Sequence, residues 1–400
     1  MLTSLAFIFL AGLSLAAISS RLRLPRIVGM LFTGIILGPF VLDLLDPSIL
    51  SISGDLRKIA LIIILIKAGL SLDLADLKQV GRPAVLLSFV PASFELAAYT
   101  LFAPLLLPVT RVEAALMGAV LAAVSPAVVV PRMVHLIETG YGKKKSIPQM
   151  ILAGASCDDI FVIVLFTSFL GMAVSGNTDF MGLIDIPVSI ILGILLGIIT
   201  GCALGLFFES AYMKKRHIRN SMKAIIILGI AFLLMSVETW LSGIVAVSGL
   251  LAVMSMACAL RIYSTGFVSK RLSDKFGKLW LAAEVILFVL VGAAVDIRYT
   301  LTAGFMAVIM ILLALVIRSF GVWLCLLGTK LTNKEKLYCV FAYLPKATVQ
   351  AAIGSVPLAA GLPCGKIILS VAVLAILITA STGAFLMDLS YPHFLTKGSA

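Results

Sequence analysis

Long apolar runs separated by short polar connections dominate this 400-residue chain. A membrane-spanning α-helix needs about 20 predominantly apolar residues, and most of the runs approach or exceed that length. The first run lacks a basic leader and an evident cleavage site, so we interpret it as a spanning helix rather than a signal peptide. The pattern predicts thirteen spans, at 2–20, 26–42, 56–74, 83–107, 112–137, 147–173, 183–208, 221–238, 243–262, 279–296, 301–327, 335–360 and 365–389.

Prolines predict that the fifth and twelfth spans are not continuous helices. A proline removes a backbone donor and disfavours helix at the residue before it. A broken helix is tolerated in a membrane only where protein or water satisfies the freed backbone groups. The residues that mark the two interruptions are Ser125, Pro126 and Pro131, then Pro345, Lys346 and Thr348.

The positions of the broken spans predict an internal repeat. They lie seven spans apart, so they run in opposite directions, as matching helices of an inverted repeat do. The halves would be spans 1–6 and 8–13, joined by span 7. The expected fold class is therefore an all-α polytopic membrane protein of 13 transmembrane helices, with inverted six-helix repeats and two discontinuous crossing helices.

Composition agrees with this class, because 61% of the residues are hydrophobic and only 12% are charged, against about 25% charged in soluble domains. The net charge of +12 comes from connections that alternate between rich and poor in lysine and arginine. The positive-inside rule then places the N-terminus outside the cell membrane and the C-terminus in the cytoplasm. The excess charge is thus topological, and no nucleic-acid partner is expected. The connections that are poor in lysine and arginine, on the outer side, contain Arg57, Lys58, Arg111, Arg298 and Lys366.

Two adjacent carboxylates, Asp158 and Asp159, lie inside the sixth apolar run. An ionisable group at the bilayer centre costs about 2.5–3.5 kcal/mol or more, so such residues usually mark ion or proton pathways. Asp158 and Asp159 are about 100° apart on a helix, so their side chains face different neighbours. A carboxylate that binds either a proton or a hard monovalent cation predicts antiport. Ser125 and Thr348 could supply further oxygen ligands.

Other charged residues also fall within spans. Glu95 and Arg318 lie midway along spans 4 and 11, which the repeat would bring together, so we expect an ion pair with mainly a structural role. Arg318 cannot carry a proton, but it could hold Asp158 or Glu95 ionised. Lys346 could neutralise the C-terminal dipole of the facing half-helix.

The motifs around these residues resemble the cation:proton antiporter superfamily, with the NHA-type sodium/proton antiporters as the most similar branch. The similarity covers essentially all thirteen spans. The segments that carry it are Asp158-Asp159, Ser125-Pro126 with Pro131, the stretch from Arg318 to Gly321, and the Leu-Pro-Lys-Ala-Thr-Val-Gln segment from Leu344 to Gln350.

The resemblance implies an NhaA-like fold with a core at approximately 56–173 and 301–390. A dimerisation part would occupy approximately 1–55 and 183–300. It implies a homodimer in membrane lipid that exchanges Na⁺ or Li⁺ for H⁺ by elevator-type alternating access, with a role in pH homeostasis. Asp159 would carry the cation, as a transient Na⁺ ligand, or the proton, and Asp158 would pair with Arg318, where many electrogenic members have lysine. No cofactor is expected.

Alternative functions remain at this point. A sodium-coupled symporter of an organic anion, on a related fold, would also need crossed broken helices, and a K⁺/H⁺ antiporter would need the same carboxylates. A channel is disfavoured because the chain has no filter loop or symmetric ring of carboxylates. An enzyme is not expected, since the sequence shows no nucleophile–base pair or metal motif.

Overall fold

A computed structural model describes residues 1–22, 24–71, 81–175, 180–213, 218–241, 245, 247–264 and 266–397 of the chain. The α-helices in these residues are α1 Leu2–Arg21, α2 Arg26–Leu37, α3 Pro47–Ser51, α4 Ser53–Ser71, α5 Arg82–Leu87, α6 Val90–Leu106, α7 Arg111–Leu121, α8 Pro126–Thr139, α9 Ile147–Ser175, α10 Phe180–Met213, α11 Asn220–Trp240, α12 Gly249–Tyr263, α13 Gly266–Ala293, α14 Ile297–Cys325, α15 Asn333–Ala342, α16 Thr348–Gly354, α17 Val356–Ala359 and α18 Gly365–Phe394.

The architecture is that of a helical membrane protein. Among the described residues, nine helical segments are long and apolar enough to cross a membrane. Shorter apolar helices accompany them at Arg26–Leu37, Gly249–Tyr263 and Thr348–Ala359. The predicted all-α, multi-pass class is therefore confirmed. Part of the charge pattern that predicts its orientation, at Arg23, at Lys78 and from Lys214 to Arg216, lies outside the described residues.

The chain folds into two compact units. The first comprises Met1–Gly54, Asp73–Phe169 and Val285–Ala400, and the second comprises Asp55–Leu72 and Leu170–Glu284. Every residue that the sequence identifies as a candidate site residue lies in the first unit.

In the first unit, the 30-residue helix α18 supports both broken spans. It packs against α7 and α8 of the fifth predicted span and against α15, α16 and α17 of the twelfth. Gly383 allows a close approach to the second interruption, because a Cβ there would lie 2.6 Å from Cγ of Pro345. One turn earlier, Oγ1 of Thr379 accepts a hydrogen bond of 2.9 Å from the backbone N–H of Lys346.

In the second unit, α10 packs against α12 along a row of glycines at Gly193, Gly197 and Gly201. A Cβ at Gly193 would lie 2.6 Å from the carbonyl oxygen of Ser248. The other two glycines approach the carbonyls of Ala252 and Met256, one turn apart on α12, more closely still. Small residues spaced by four let membrane helices approach backbone to backbone, where dispersion and packing drive association.

At the second and fourth predicted spans, proline explains how the observed helices differ from the prediction. The second was expected to reach residue 42, but α2 ends at Leu37 because Gly38 precedes a proline and is extended. The fourth was expected to be continuous from 83 to 107, but it is divided between α5 and α6. Pro91, near the start of α6, has no N–H to continue the ladder of hydrogen bonds from α5.

Candidate functional site

The fifth predicted span is interrupted at residues 122–125, between α7 and α8. Pro126 begins α8, and Ser125 before it is extended, with φ −90° and ψ 110°. This is the conformation that a following proline favours. Pro131, which the sequence placed at the same interruption, lies instead inside the continuous helix α8. Its missing donor removes one helical hydrogen bond without ending the helix.

The twelfth predicted span is interrupted at residues 343–347, between α15 and α16, and Thr348 is the first residue of α16. The backbone N–H of Ser125 donates a hydrogen bond of 2.8 Å to the carbonyl of Pro345. The two interruptions therefore meet, and each satisfies part of the backbone that the other leaves free.

Gln350 joins the two interruptions with its side-chain amide. Its Nε2 donates to the carbonyl of Ala123 at 2.7 Å, and its Oε1 accepts from the N–H of Ala347 at 2.8 Å. The side chain is completely buried. One side chain thus pairs two backbone groups that no helix satisfies, at a depth where an unpaired group is costly.

Glu95, Arg318 and Lys346 are fully buried charged residues beside this crossing. Oε2 of Glu95 accepts hydrogen bonds of 2.7 Å from Nη1 of Arg318 and from Nζ of Lys346. Nζ of Lys346 also donates to the carbonyl of Leu121, the last residue of α7. The structure therefore brings Glu95 and Arg318 together, and it places Lys346 where a cation offsets the negative end of the α7 dipole.

Arg318 contacts both interruptions. Its Nε donates to the carbonyl of Tyr343 at 2.8 Å, and its Nη1 also donates to the carbonyl of Ala122. Its Nη2 lies 3.5 Å from Oδ2 of Asp158. A guanidinium presents several donors in a fixed fork, so one arginine can hold two backbone segments and two carboxylates in register.

The adjacent aspartates have different surroundings. Oδ2 of Asp158 accepts a hydrogen bond of 2.8 Å from the N–H of Val124, in addition to its contact with Arg318. Asp159 is 6% exposed, and among the described residues it forms no ion pair. Its Oδ1 is buried without a hydrogen-bond partner there.

The charges of this cluster balance except at Asp159. Glu95 and Asp158 carry two negative charges, and Arg318 and Lys346 carry two positive charges. Asp159 adds a third carboxylate, which no fixed cation in the described part of the chain neutralises. A buried carboxylate is stable only when something positive accompanies it.

Several participants were not identified from the sequence: Gln350 as the link between the interruptions, Thr379 as a partner of the second, and Lys346 as a second partner of Glu95. The signal for Gln350 was available, since it is a polar side chain in an apolar run. In the described ranges, no group of three His, Cys, Asp or Glu side chains is arranged to hold a metal ion.

Comparison with protein families gives a match over residues 5–387 to the model described as "Sodium/hydrogen exchanger, transmembrane". Human sodium/hydrogen exchanger 9B2 is 35% identical over 390 residues, which cover 94% of this chain and 70% of the human protein. Human sodium/hydrogen exchanger 9B1 is 32% identical over 391 residues, covering 94% and 73%.

The fold is similar to that of the sodium proton antiporter MjNhaP1 from Methanocaldococcus jannaschii, in a structure determined at pH 8. The TM-score is 0.82, and the superposition covers 98% of this chain and 99% of MjNhaP1. Only 23% of the residues are identical, so this similarity establishes a common fold alone.

Proposed function

We propose that this chain, which belongs to the sodium/hydrogen exchanger family, exchanges Na⁺ for H⁺ at a single site centred on Asp159. Membership in the family makes the protein a multi-pass membrane transporter that exchanges a cation for a proton, not an enzyme. The predicted resemblance to cation:proton antiporters is thereby confirmed. The symporter and channel alternatives gain no support from the comparisons.

The observation that carries the proposal is the unbalanced charge of Asp159. Glu95 and Asp158 face Arg318 and Lys346, whereas Asp159 has no cationic partner among the described residues. Its carboxylate needs one positive occupant, which can be a proton or a hard monovalent cation. Because the two compete for the same group, binding of one releases the other.

The other members of the cluster shape the site. Na⁺ requires several oxygen ligands, and Oγ of Ser125 is buried without a hydrogen-bond partner in the described residues. Carbonyls freed at the crossing are further candidates. Arg318, which holds Asp158 and Glu95, keeps its proton throughout the cycle. Lys346 is held by Glu95, so the proposal assigns the transported proton to Asp159.

The wider transport cycle is also part of the proposal. The core part, at approximately 56–173 and 301–390, would move as an elevator against the scaffold part, at approximately 1–55 and 183–300. The protein would act as a homodimer in the cell membrane, with its N-terminus outside and its C-terminus in the cytoplasm. Li⁺ would replace Na⁺ at the same carboxylate.

The experiment is exchange in proteoliposomes that contain a trapped pH indicator. Addition of external Na⁺ should release an internal acid load in the wild type, and Asp159→Asn should abolish this release. Asp274→Asn serves as a control, because Asp274 is exposed in α13 and the same chemical change there should leave exchange intact. Retained exchange in Asp159→Asn would refute the proposal.

A further inference from the structure

A second charged contact fixes α8 midway along its length, about two turns from the crossing. Nε and Nη2 of Arg132 donate to Oδ1 and Oδ2 of Asp388, each at 2.8 Å. Two parallel bonds of this kind set orientation as well as distance. Nη1 of the same guanidinium donates to the carbonyl of Val128, within α8, at 3.0 Å. Arg132 is therefore hydrogen-bonded both to its own helix and to Asp388 of α18.

The packing beside this pair is open. A cavity of about 340 Å³ lies against it, lined also by Pro131, His135 and Leu136 of α8, by Tyr338 of α15 and by Tyr391 of α18. Side-chain packing between α8 and α18 is thus incomplete at this level, where the ion pair and the edge-on rings of His135 and Tyr391 connect the two helices. Exposed ion pairs generally contribute little, but a bidentate arginine–carboxylate pair is the exception.

The start and the middle of α8 are thereby both connected to α18. At the crossing, the N–H of Ser125 is bonded to Pro345, and Pro345 rests against Gly383 of α18. About two turns further along α8, Arg132 is bonded to Asp388 of α18. Since α8 is continuous between these points, the ion pair contributes to the position of Ser125 and the interruption along α18.

We propose that Arg132 and Asp388 are positioning residues for cation binding, which hold the first interruption in register with the second so that its oxygens complete the site. The inference rests on the proposed function, because it concerns the same cation site. No sequence pattern indicates the pair, since 256 positions separate its members.

The test measures Na⁺-driven exchange in proteoliposomes for Arg132→Gln, Asp388→Asn and the charge-exchanged double variant Arg132→Asp/Asp388→Arg. Each single variant should raise the Na⁺ concentration for half-maximal exchange roughly threefold to fivefold, the range for a well-formed, partly exposed pair. The maximum rate should stay at the wild-type value, and the melting temperature should fall only slightly. The double variant should restore most of the lost affinity.

Lys145→Gln is the matched control. Lys145 also forms an ion pair, at 2.7 Å to Glu335 of α15, but Lys145 lies in the connection before α9, and the pair does not join α8 to α18. Its half-saturating Na⁺ concentration should be unchanged. An equal change in this control would overturn the inference. So would wild-type Na⁺ dependence in both single variants, a parallel fall of rate and melting temperature, or failure of the double variant to recover affinity.

Asp159→Asn, run in the same assay, separates this inference from the proposed function. Exchange that survives in that variant refutes the role of Asp159. The positioning role is decided separately, by comparing half-saturating Na⁺ concentrations among the Arg132 and Asp388 variants.

Discussion

Lys346 donates a hydrogen bond of 2.7 Å to Oε2 of Glu95, a residue 251 positions earlier in the chain. The same oxygen accepts from Arg318. One carboxylate thus anchors two buried cations, one from the interruption of the twelfth predicted span and one from α14. This arrangement leaves Asp159 as the carboxylate without a fixed counter-charge in the described residues.

Replacing Glu95 should be strongly destabilising. Glu95→Gln leaves Arg318 and Lys346 with a single remaining carboxylate, Asp158, in a fully buried cluster. Removing one partner from a buried ion pair costs about 3–5 kcal/mol, so the free energy of unfolding should fall by an amount in that range. Denaturant unfolding in detergent measures it, with exposed Glu138→Gln as the control. A wild-type unfolding midpoint would show that Glu95 does not stabilise the cluster.

Gln350 should be needed for both stability and Na⁺ affinity. Gln350→Leu removes the partners of the Ala123 carbonyl and the Ala347 N–H. An unsatisfied buried backbone group costs about 1–3 kcal/mol, and the interruptions should separate enough to weaken Na⁺ binding. Gln149→Leu is the matched control, because Oε1 of Gln149 is buried without a hydrogen-bond partner among the described residues and its removal breaks no hydrogen bond of that oxygen. Equal melting temperatures for the two variants would contradict the bridging role.

Gly154 should tolerate no side chain while Tyr343 is present. A Cβ at Gly154 would collide with the hydroxyl of Tyr343 and lie 3.0 Å from Cβ of Leu87. Overpacking of this kind costs about 1–3 kcal/mol. The melting temperature of Gly154→Ala should therefore fall, and Gly154→Ala/Tyr343→Phe should recover part of the loss.

Gly171, on the same helix, provides the control for this prediction. Nothing lies within 4 Å of a Cβ built there, so Gly171→Ala should be neutral or slightly stabilising, because alanine favours helix by up to about 1 kcal/mol. If both substitutions lower the melting temperature equally, the contact with Tyr343 is not the cause.

The charge balance at the crossing predicts electroneutral exchange. If Arg318 and Lys346 keep their protons and Asp159 alone changes its occupant, one Na⁺ replaces one H⁺ and no net charge moves. A membrane potential of 100 mV would bias each transferred charge by about 2.3 kcal/mol. Exchange rates in proteoliposomes should therefore be the same with and without a potassium diffusion potential. A rate that follows the potential would show that a second group, such as Lys346, also releases a proton.

The sequence predicted the features of the site that depend on local chemistry. Pro126 and Pro345 indicated both interruptions because proline removes a donor wherever it stands. The matching depths of Glu95 and Arg318 in their spans indicated that these residues could meet. Asp159 stood out because a carboxylate in an apolar run is costly.

Features that depend on tertiary contact were not predicted. An apolar run indicates how deep a residue lies, but not which neighbour it faces. Two examples depend on how the helices cross. Lys346 shares Oε2 of Glu95 with Arg318, and Arg132 forms a bidentate ion pair with Asp388. Pro91 shows a further limit, because a transmembrane proline can either kink a helix or divide it, and only packing decides between the two.

The competition of Na⁺ and H⁺ for Asp159 is tested most directly by the pH dependence of Na⁺ binding to the purified protein. Isothermal titration calorimetry measures this binding. If one carboxylate holds either ion, protons compete with Na⁺. The apparent dissociation constant for Na⁺ should therefore rise tenfold for each unit by which the pH is lowered, in the acidic range where the site is mostly protonated. Buffers of different ionisation enthalpy should show one proton released per Na⁺ bound, and Asp159→Asn should abolish both signals. Na⁺ binding that is independent of pH, or that survives in Asp159→Asn, would contradict the claim that the two ions compete for this residue.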